Sequence, residues 1–257
     1  MPAIDPRIRA RRIAVQRDVG RRRLHWLSVL GGLVAIVAVT VVAALSPLLD
    51  VDAVEVTGAL RAEVAAVIAA SGVERGDPLV VLDSAGATAA IRRLPWVDEV
   101  TIARVWPGTV AIDLVERVPV AGFLEAGSRV ALVDRTGRIL DVVSAEGSGV
   151  VLVSGLAPPG APGGDIPSAG EPALAVAAAL PAEVAPHVAQ LVVGDAGQLR
   201  LTLRLPATGP PAEVILGDDS LLAAKVGALS TLLATVDLTD LDTLDLEVPS
   251  TPALTRR

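Results

Sequence analysis

"RVWPGTVAIDLVERVPVA", residues 104–121, is the stretch whose reading decides the fold. Val110, Ile112 and Leu114 alternate with Ala111, Asp113 and Val115, the period of a strand with one buried face. Ahead of them Val97, Val100 and Ile102 lead into Val105, and "WPGT" (106–109) separates the two runs. Pro107 presets the first central position of a turn and Gly108 suits positive φ at the second, so a type II turn is expected to close a hairpin. Arg104, Glu116 and Arg117 fall on that hairpin, where cross-strand charge pairing on the solvent face is the expectation and a recognition surface the alternative. Trp96 and Trp106 are expected to shield the open face of the sheet, with a partner anchor as the alternative.

Upstream, "LLDVDAVEVTG" (48–58) alternates and ends at Gly58, which predicts a short strand. In "ALRAEVAAVIAASG" (59–72) Leu60, Val64, Val67 and Ile68 recur at helical spacing, and Gly72 gives a C-terminal signal. A second helix is expected from Ser84, as its cap, to Leu94 before Pro95. Strand, helix, helix, strand, strand from 51 to 117 makes a small sheet with two helices on one face, an α+β arrangement.

Further back, residues 24–49 contain no Asp, Glu, Lys or Arg, and about 20 apolar residues suffice for a helix to cross a bilayer. A buried soluble helix would keep a polar stripe, yet between Val29 and Leu45 the only polar side chain is Thr40. A single transmembrane helix is therefore predicted over 24–46, with Trp26 at headgroup level. Eight arginines and two aspartates precede it in a basic tail, residues 1–23. The positive-inside rule keeps that tail in the cytoplasm and puts the rest of the chain outside. A signal peptide cleaved near "VAALS" (42–46) is the rival reading, but the apolar run exceeds the 7–15 residues usual for a signal, so an uncleaved anchor is expected. Subtracting the tail's eight Arg and two acids from the chain's 22 and 29 leaves 14 basic and 27 acidic side chains, a balance that argues against a nucleic-acid partner.

Downstream of Pro119, expected to set the angle between two domains, the text is mostly short strands. "VAGFLEAGSRVALVDRTGRIL" (120–140) alternates around Gly127 and the turn "DRTG" (134–137), and "GVVLVSGL" (149–156) reads as a buried strand. After a Pro/Gly loop at 157–172, a helix is expected at 172–180 and strands at 188–194, 198–205 and 212–216. A helix over 217–236 has Asp218 or Asp219 as its natural N-cap, and a last strand, 242–249, alternates Leu244, Leu246 and Val248 against Asp245 and Glu247.

Cysteine is absent, which excludes disulfides, thiolate metal sites and a cysteine nucleophile. His25 and His187 stand far apart without ligands or a carboxylate at useful spacing. Neither a G-x-S-x-G elbow nor a phosphate-binding G-x-x-x-x-G-K-[ST] loop occurs. No catalytic, cofactor-binding or metal-binding residue is therefore assigned. One lysine among 22 basic residues, with abundant Ala, Val and Leu, suggests a high-GC genome.

The basic tail and single span, "VEVTG" (54–58), "IAASGVERGDPLVVLD" (68–83), "LPWVDEVTIARVWPGTVAIDLVERVPVA" (94–121) and "LVDRTGRIL" (132–140) together resemble the FtsQ/DivIB family of bacterial cell-division proteins, of an actinobacterial kind. The resemblance implies a POTRA domain (50–118) beside the membrane, a β-rich domain with flanking helices (119–249) and a C-terminal tail (250–257). It also implies a non-enzymatic bitopic scaffold without cofactors at the division septum, joining single-pass partners of the FtsB/DivIC and FtsL type to septal peptidoglycan synthesis. In the family a partner strand adds at an edge of the β domain; the corresponding segment here is Thr243, Leu244, Asp245, Leu246, Glu247 and Val248. An exposed edge offers unpaired N–H and C=O groups to such a strand. The same residues read equally as ordinary core and solvated face. A POTRA-type assembly or translocation module, and an anchored wall-processing enzyme, are the competing classes.

Overall fold

The structure, a computed structural model, describes residues 25–39, 41–42, 49–204, 211–235 and 241–256. The expected basic tail 1–23 lies outside the described residues. The expected span lies partly within them: residues 25–39 and 41–42 are helical, with every described side chain exposed. No helix among the described residues is long and apolar enough to cross a membrane.

Two sheets follow. The first has the order β1-β3-β2, from β1 (Ala53–Thr57), β2 (Val97–Val105) and β3 (Thr109–Glu116). β2 and β3 form the expected antiparallel hairpin, while β1 lies parallel to β3 with Ala53 opposite Thr109. Helices α1 (Val64–Ser71) and α2 (Ser84–Ile91) connect β1 to β2. Val67 and Ile91 from the helices meet Val97, Val100, Val110, Ile112 and Leu114 in one core, joined by Leu79 from a short 3-10 turn at Leu79–Val81.

Three local expectations are corrected. α1 starts five residues later than its apolar spacing suggests, because the amides of Leu60, Arg61 and Ala62 all donate to Glu116 Oε1 at 2.7 Å instead of entering a helix. Gly72 does end α1, with φ 65°. The cap of α2 is Asp83 rather than Ser84, its Oδ1 accepting from the Gly86 amide at 2.9 Å. The hairpin turn is not type II either: the Trp106–Pro107 peptide is cis and Gly108 lies outside the positive-φ region. Gly108 is needed for proximity, since a Cβ there would stand 2.7 Å from the carbonyl oxygen of Asp50. Its own carbonyl accepts from the amide of Asp52 at 2.7 Å, stitching the hairpin to the start of β1.

The second sheet has nine strands in the order β12-β11-β10-β9-β8-β7-β4-β5-β6. They are β4 (Pro119–Leu124), β5 (Arg129–Asp134), β6 (Ile139–Ser144), β7 (Val151–Ser154), β8 (Val188–Val193), β9 (Leu199–Leu203), β10 (Ala212–Gly217), β11 (Leu241–Asp245) and β12 (Ala253–Arg256). β4, β7 and β8 are parallel neighbours; short hairpins supply the antiparallel pairs β4-β5, β5-β6 and β8-β9. Helices α3 (Glu171–Ala179) and α4 (Leu222–Thr235) cover one face, where Leu174, Val176 and Leu229 pack with Phe123, Val153, Leu191, Leu201 and Val214.

Asp218 does not cap α4, which begins at Leu222 after Leu221 at φ 52°. Its carboxylate instead accepts from Ser220 and from Lys225, whose side chain is 1% exposed and whose ammonium also donates to the carbonyls of Leu216 and Asp218 at 2.7 and 3.0 Å. The expected last strand, 242–249, stops at Asp245, and much of the expected tail is strand β12.

Candidate functional site

The six residues singled out as a partner edge are split by the structure. Thr243, Leu244 and Asp245 close β11; Leu246, Glu247 and Val248 follow it in the turn towards β12. Leu244 and Leu246 are buried core, whereas Val248 is 58% exposed. The amide of Leu246 donates to the carbonyl of Ile215 at 2.9 Å, and the amide of Glu247 to Asp245 Oδ1 at 2.9 Å. β11 is also paired on both sides, parallel to β10 and antiparallel to β12. The premise that 243–248 forms the edge is thereby corrected: the C-terminal residues 253–256 occupy that place. Local alternation gave no warning, because a four-residue strand of exposed side chains leaves no hydrophobic period to read.

The two ends of the large sheet differ. On the β6 side, the amide of Ile139 donates to Gly164 and its carbonyl accepts from Gly163, both at 2.8 Å, so a loop already uses part of that margin. At the other end, β12 has all four residues exposed, and among the described residues no strand lies beyond it. Strand addition needs a margin of this kind.

A second constellation lies where the sheets meet. Trp96, 9% exposed, packs against Val130, Leu132 and Leu140 from the face of β5 and β6 opposite the helices, and the Arg61 guanidinium lies 5.1 Å from its ring centroid. It shields the second sheet, not the open face of the first. Arg117, expected on a solvent face, is turned inward: its Nε donates to the carbonyl of Val97 at 3.0 Å and its Nη1 to Asp134 Oδ2 at 2.7 Å, with Asp98 at 3.4 Å. Burial alone would raise the pKa of Asp134. Donation from the Thr136 hydroxyl, Arg117 and the amides of Arg138 and Thr136 outweighs it and holds the carboxyl below its ordinary value. Arg138 completes the junction by donating to the carbonyl of Arg93 at 2.7 Å. The sequence words "LPWV", "ERVPVA" and "LVDRTGRIL", far apart in the chain, thus converge on one interface.

The rest of the hairpin is divided. Glu116 serves the 60–62 amides; burial raises its pKa, those three donors and Arg61 lower it more, and it lies below its usual value. Arg104 Nη2 donates to the carbonyl of Leu82 at 2.6 Å, and Trp106 is left 55% exposed. Among the described residues no group of three or more His, Cys, Asp or Glu could hold a metal. A groove at the starts of β4, β7 and β8, lined by Pro119, Val151, Leu180, Pro186 and Arg204, has that arginine as its only described ionisable side chain and offers no acid–base pair.

Comparison with known proteins agrees with this division into two sheets. A family model described as POTRA domain, FtsQ-type, matches residues 49–117, and one described as cell division protein FtsQ/DivIB, C-terminal, matches residues 123–247. The cell division protein FtsQ of Streptomyces collinus is 31% identical over 242 residues, covering 91% of this chain and 89% of that protein. Its counterpart in Corynebacterium glutamicum is 37% identical over 128 residues, 49% of this chain and 57% of that protein, so the match spans less than two thirds of it. A Streptomyces venezuelae relative of the same name is 41% identical over 70 residues, 27% of this chain and 26% of that protein.

Proposed function

The chain belongs to the FtsQ/DivIB family of cell-division proteins, and from that premise we propose that it is a non-enzymatic, single-pass scaffold of the division machinery. Residues 24–46 cross the cytoplasmic membrane, residues 1–23 stay in the cytoplasm, and the two folded domains, 50–118 and 119–249, stand outside at the septum. Support for the span comes from its uninterrupted apolar text and from the described helix at 25–39, whose apolar side chains are exposed.

Partners of the FtsB/DivIC and FtsL type dock at the C-terminal margin of the large sheet and connect it to septal wall synthesis. The outer side of β12 carries this reading, because among the described residues no strand lies beyond it, whereas the backbone groups of β6 are partly taken. Thr243 to Val248 contribute as the support behind that margin. A charged replacement of Leu246 is a poor test, since the side chain is fully buried. Leu254→Pro and Thr255→Pro, made separately, are better: adjacent amides point to opposite sides of a strand, so one of the two prolines removes an outward donor. The expected result is loss of partner binding, measured by titration, in the variant that retains its fold. Unchanged affinity in both folded variants would exclude this margin. At the cellular level, a fluorescent fusion at the N-terminus should form a band at the division site that depends on the folded domains, and uniform membrane signal with normal division after depletion would overturn the scaffold reading.

A further inference from the structure

We infer that the tip of the β2–β3 hairpin, with the neighbouring turn at Leu79–Val81, rests in the headgroup layer of the bilayer that anchors the chain; this builds on the membrane reading proposed above. Trp106 is 55% exposed, Val105 49%, Val81 65% and Val80 39%. They share one end of the POTRA domain. Gly108 accepts from the amides of Asp52 and Ala53, Asp50 bridges to Pro78, the Val51 amide donates to Asp77 at 2.8 Å, and Arg104 is fastened to Leu82. All of these contacts surround the point at which the chain enters the domain.

Residues 43–48 alone separate that point from the described part of the apolar helix, and six residues reach at most about 20 Å when fully extended. The hairpin tip is therefore held close to the membrane surface whatever path those residues take. An indole has an apolar body and one N–H donor, and the bilayer interface is where such a ring is most favourably placed. The charges nearby are mixed, with Asp50, Asp52 and Asp77 against Arg75 and Arg104. The contact is thus made by the indole and the valines, and a zwitterionic surface suffices for it.

The chain's three tryptophans provide the test, one in the apolar helix (Trp26), one buried at the domain junction (Trp96) and one on the hairpin tip. The full chain is reconstituted into phosphatidylcholine vesicles carrying a nitroxide near the headgroup, and tryptophan emission is compared with unlabelled vesicles. Trp26→Phe should still lose emission to the nitroxide, and Trp26→Phe/Trp106→Phe should not, leaving the unquenched Trp96. Equal, negligible quenching of these two variants would overturn the docking of the tip. Trp106→Phe separates the premises. If its Trp26 is quenched while the tip is not, the span stands and the docking falls; if Trp26 is also unquenched, the membrane reading fails and takes this inference with it.

Discussion

Arg117 carries its charge into a place that water scarcely reaches: its side chain is 16% exposed and that of Asp134 is 3%. Removing one member of such a pair leaves the other buried without its counter-charge, which typically costs about 3–5 kcal/mol. Arg117→Ala should lower the urea midpoint of the purified chain accordingly. Arg117→Lys should recover only part of the loss, because an ammonium cannot reach both the Val97 carbonyl and Asp134 with the geometry of a planar guanidinium. Asp218 provides a contrasting, exposed case. Hydrogen bonds from Ser220 and then Lys225 lower its pKa from 3.8 to about 2. A carboxylate depressed in the folded state stabilises fully above its unfolded value, and that contribution fades as pH falls through the folded one. Asp218→Asn should therefore flatten the decline of stability between roughly pH 4 and 2, as read from thermal midpoints across that range. Neither pairing was legible in the sequence. Arg117 and Asp134 are 17 residues apart, one just past the end of β3 and the other closing β5 in the second sheet, and no local spacing rule joins them. Asp218 resembled a helix cap because capping depends on a start position that Leu221, at positive φ, shifts.

Helix α4 shows how an element can be recognised while its anchoring is not. Its broad apolar face, with Val226 and Leu229 buried, follows from 3.6-residue spacing, yet the same face buries Lys225. Lys225→Met keeps much of the volume and strands the carbonyl of Leu216, so a loss of about 1–3 kcal/mol is expected in denaturant unfolding. β1 ends at Gly58, with φ 78° and the carbonyl of Leu114 where a Cβ would project. Gly58→Ala should consequently destabilise the β1–β3 pairing, seen as faster amide exchange across Val54 to Thr57 than in the parent chain. The strands of the hairpin were readable because each hides one face from water. β12 was not, because its stability comes from main-chain bonds to β11, to which side-chain pattern is blind.

At the scale of the whole molecule, the order of elements in the first domain and the strand-rich character of the second were legible, as was the change of pattern near Pro119. Their mutual fastening was not. Trp96 and Arg117 lie on the first sheet's side of that change and bury themselves against the second, a relation that only the three-dimensional arrangement supplies. Trp96→Ala should loosen this contact and separate the unfolding of the two domains, so that one calorimetric transition becomes two; a single, uniformly shifted transition would mean that other contacts couple them. The parallel pairing of β1 with β3 has a further consequence. Because the chain enters at one end of that pair and departs from the other, the small sheet acts as a spacer of fixed height, about 25 Å for the eight residues of β3. The point of entry and the point of exit are thereby kept apart by the full length of the pair, and they cannot approach one another unless β1 unzips from β3.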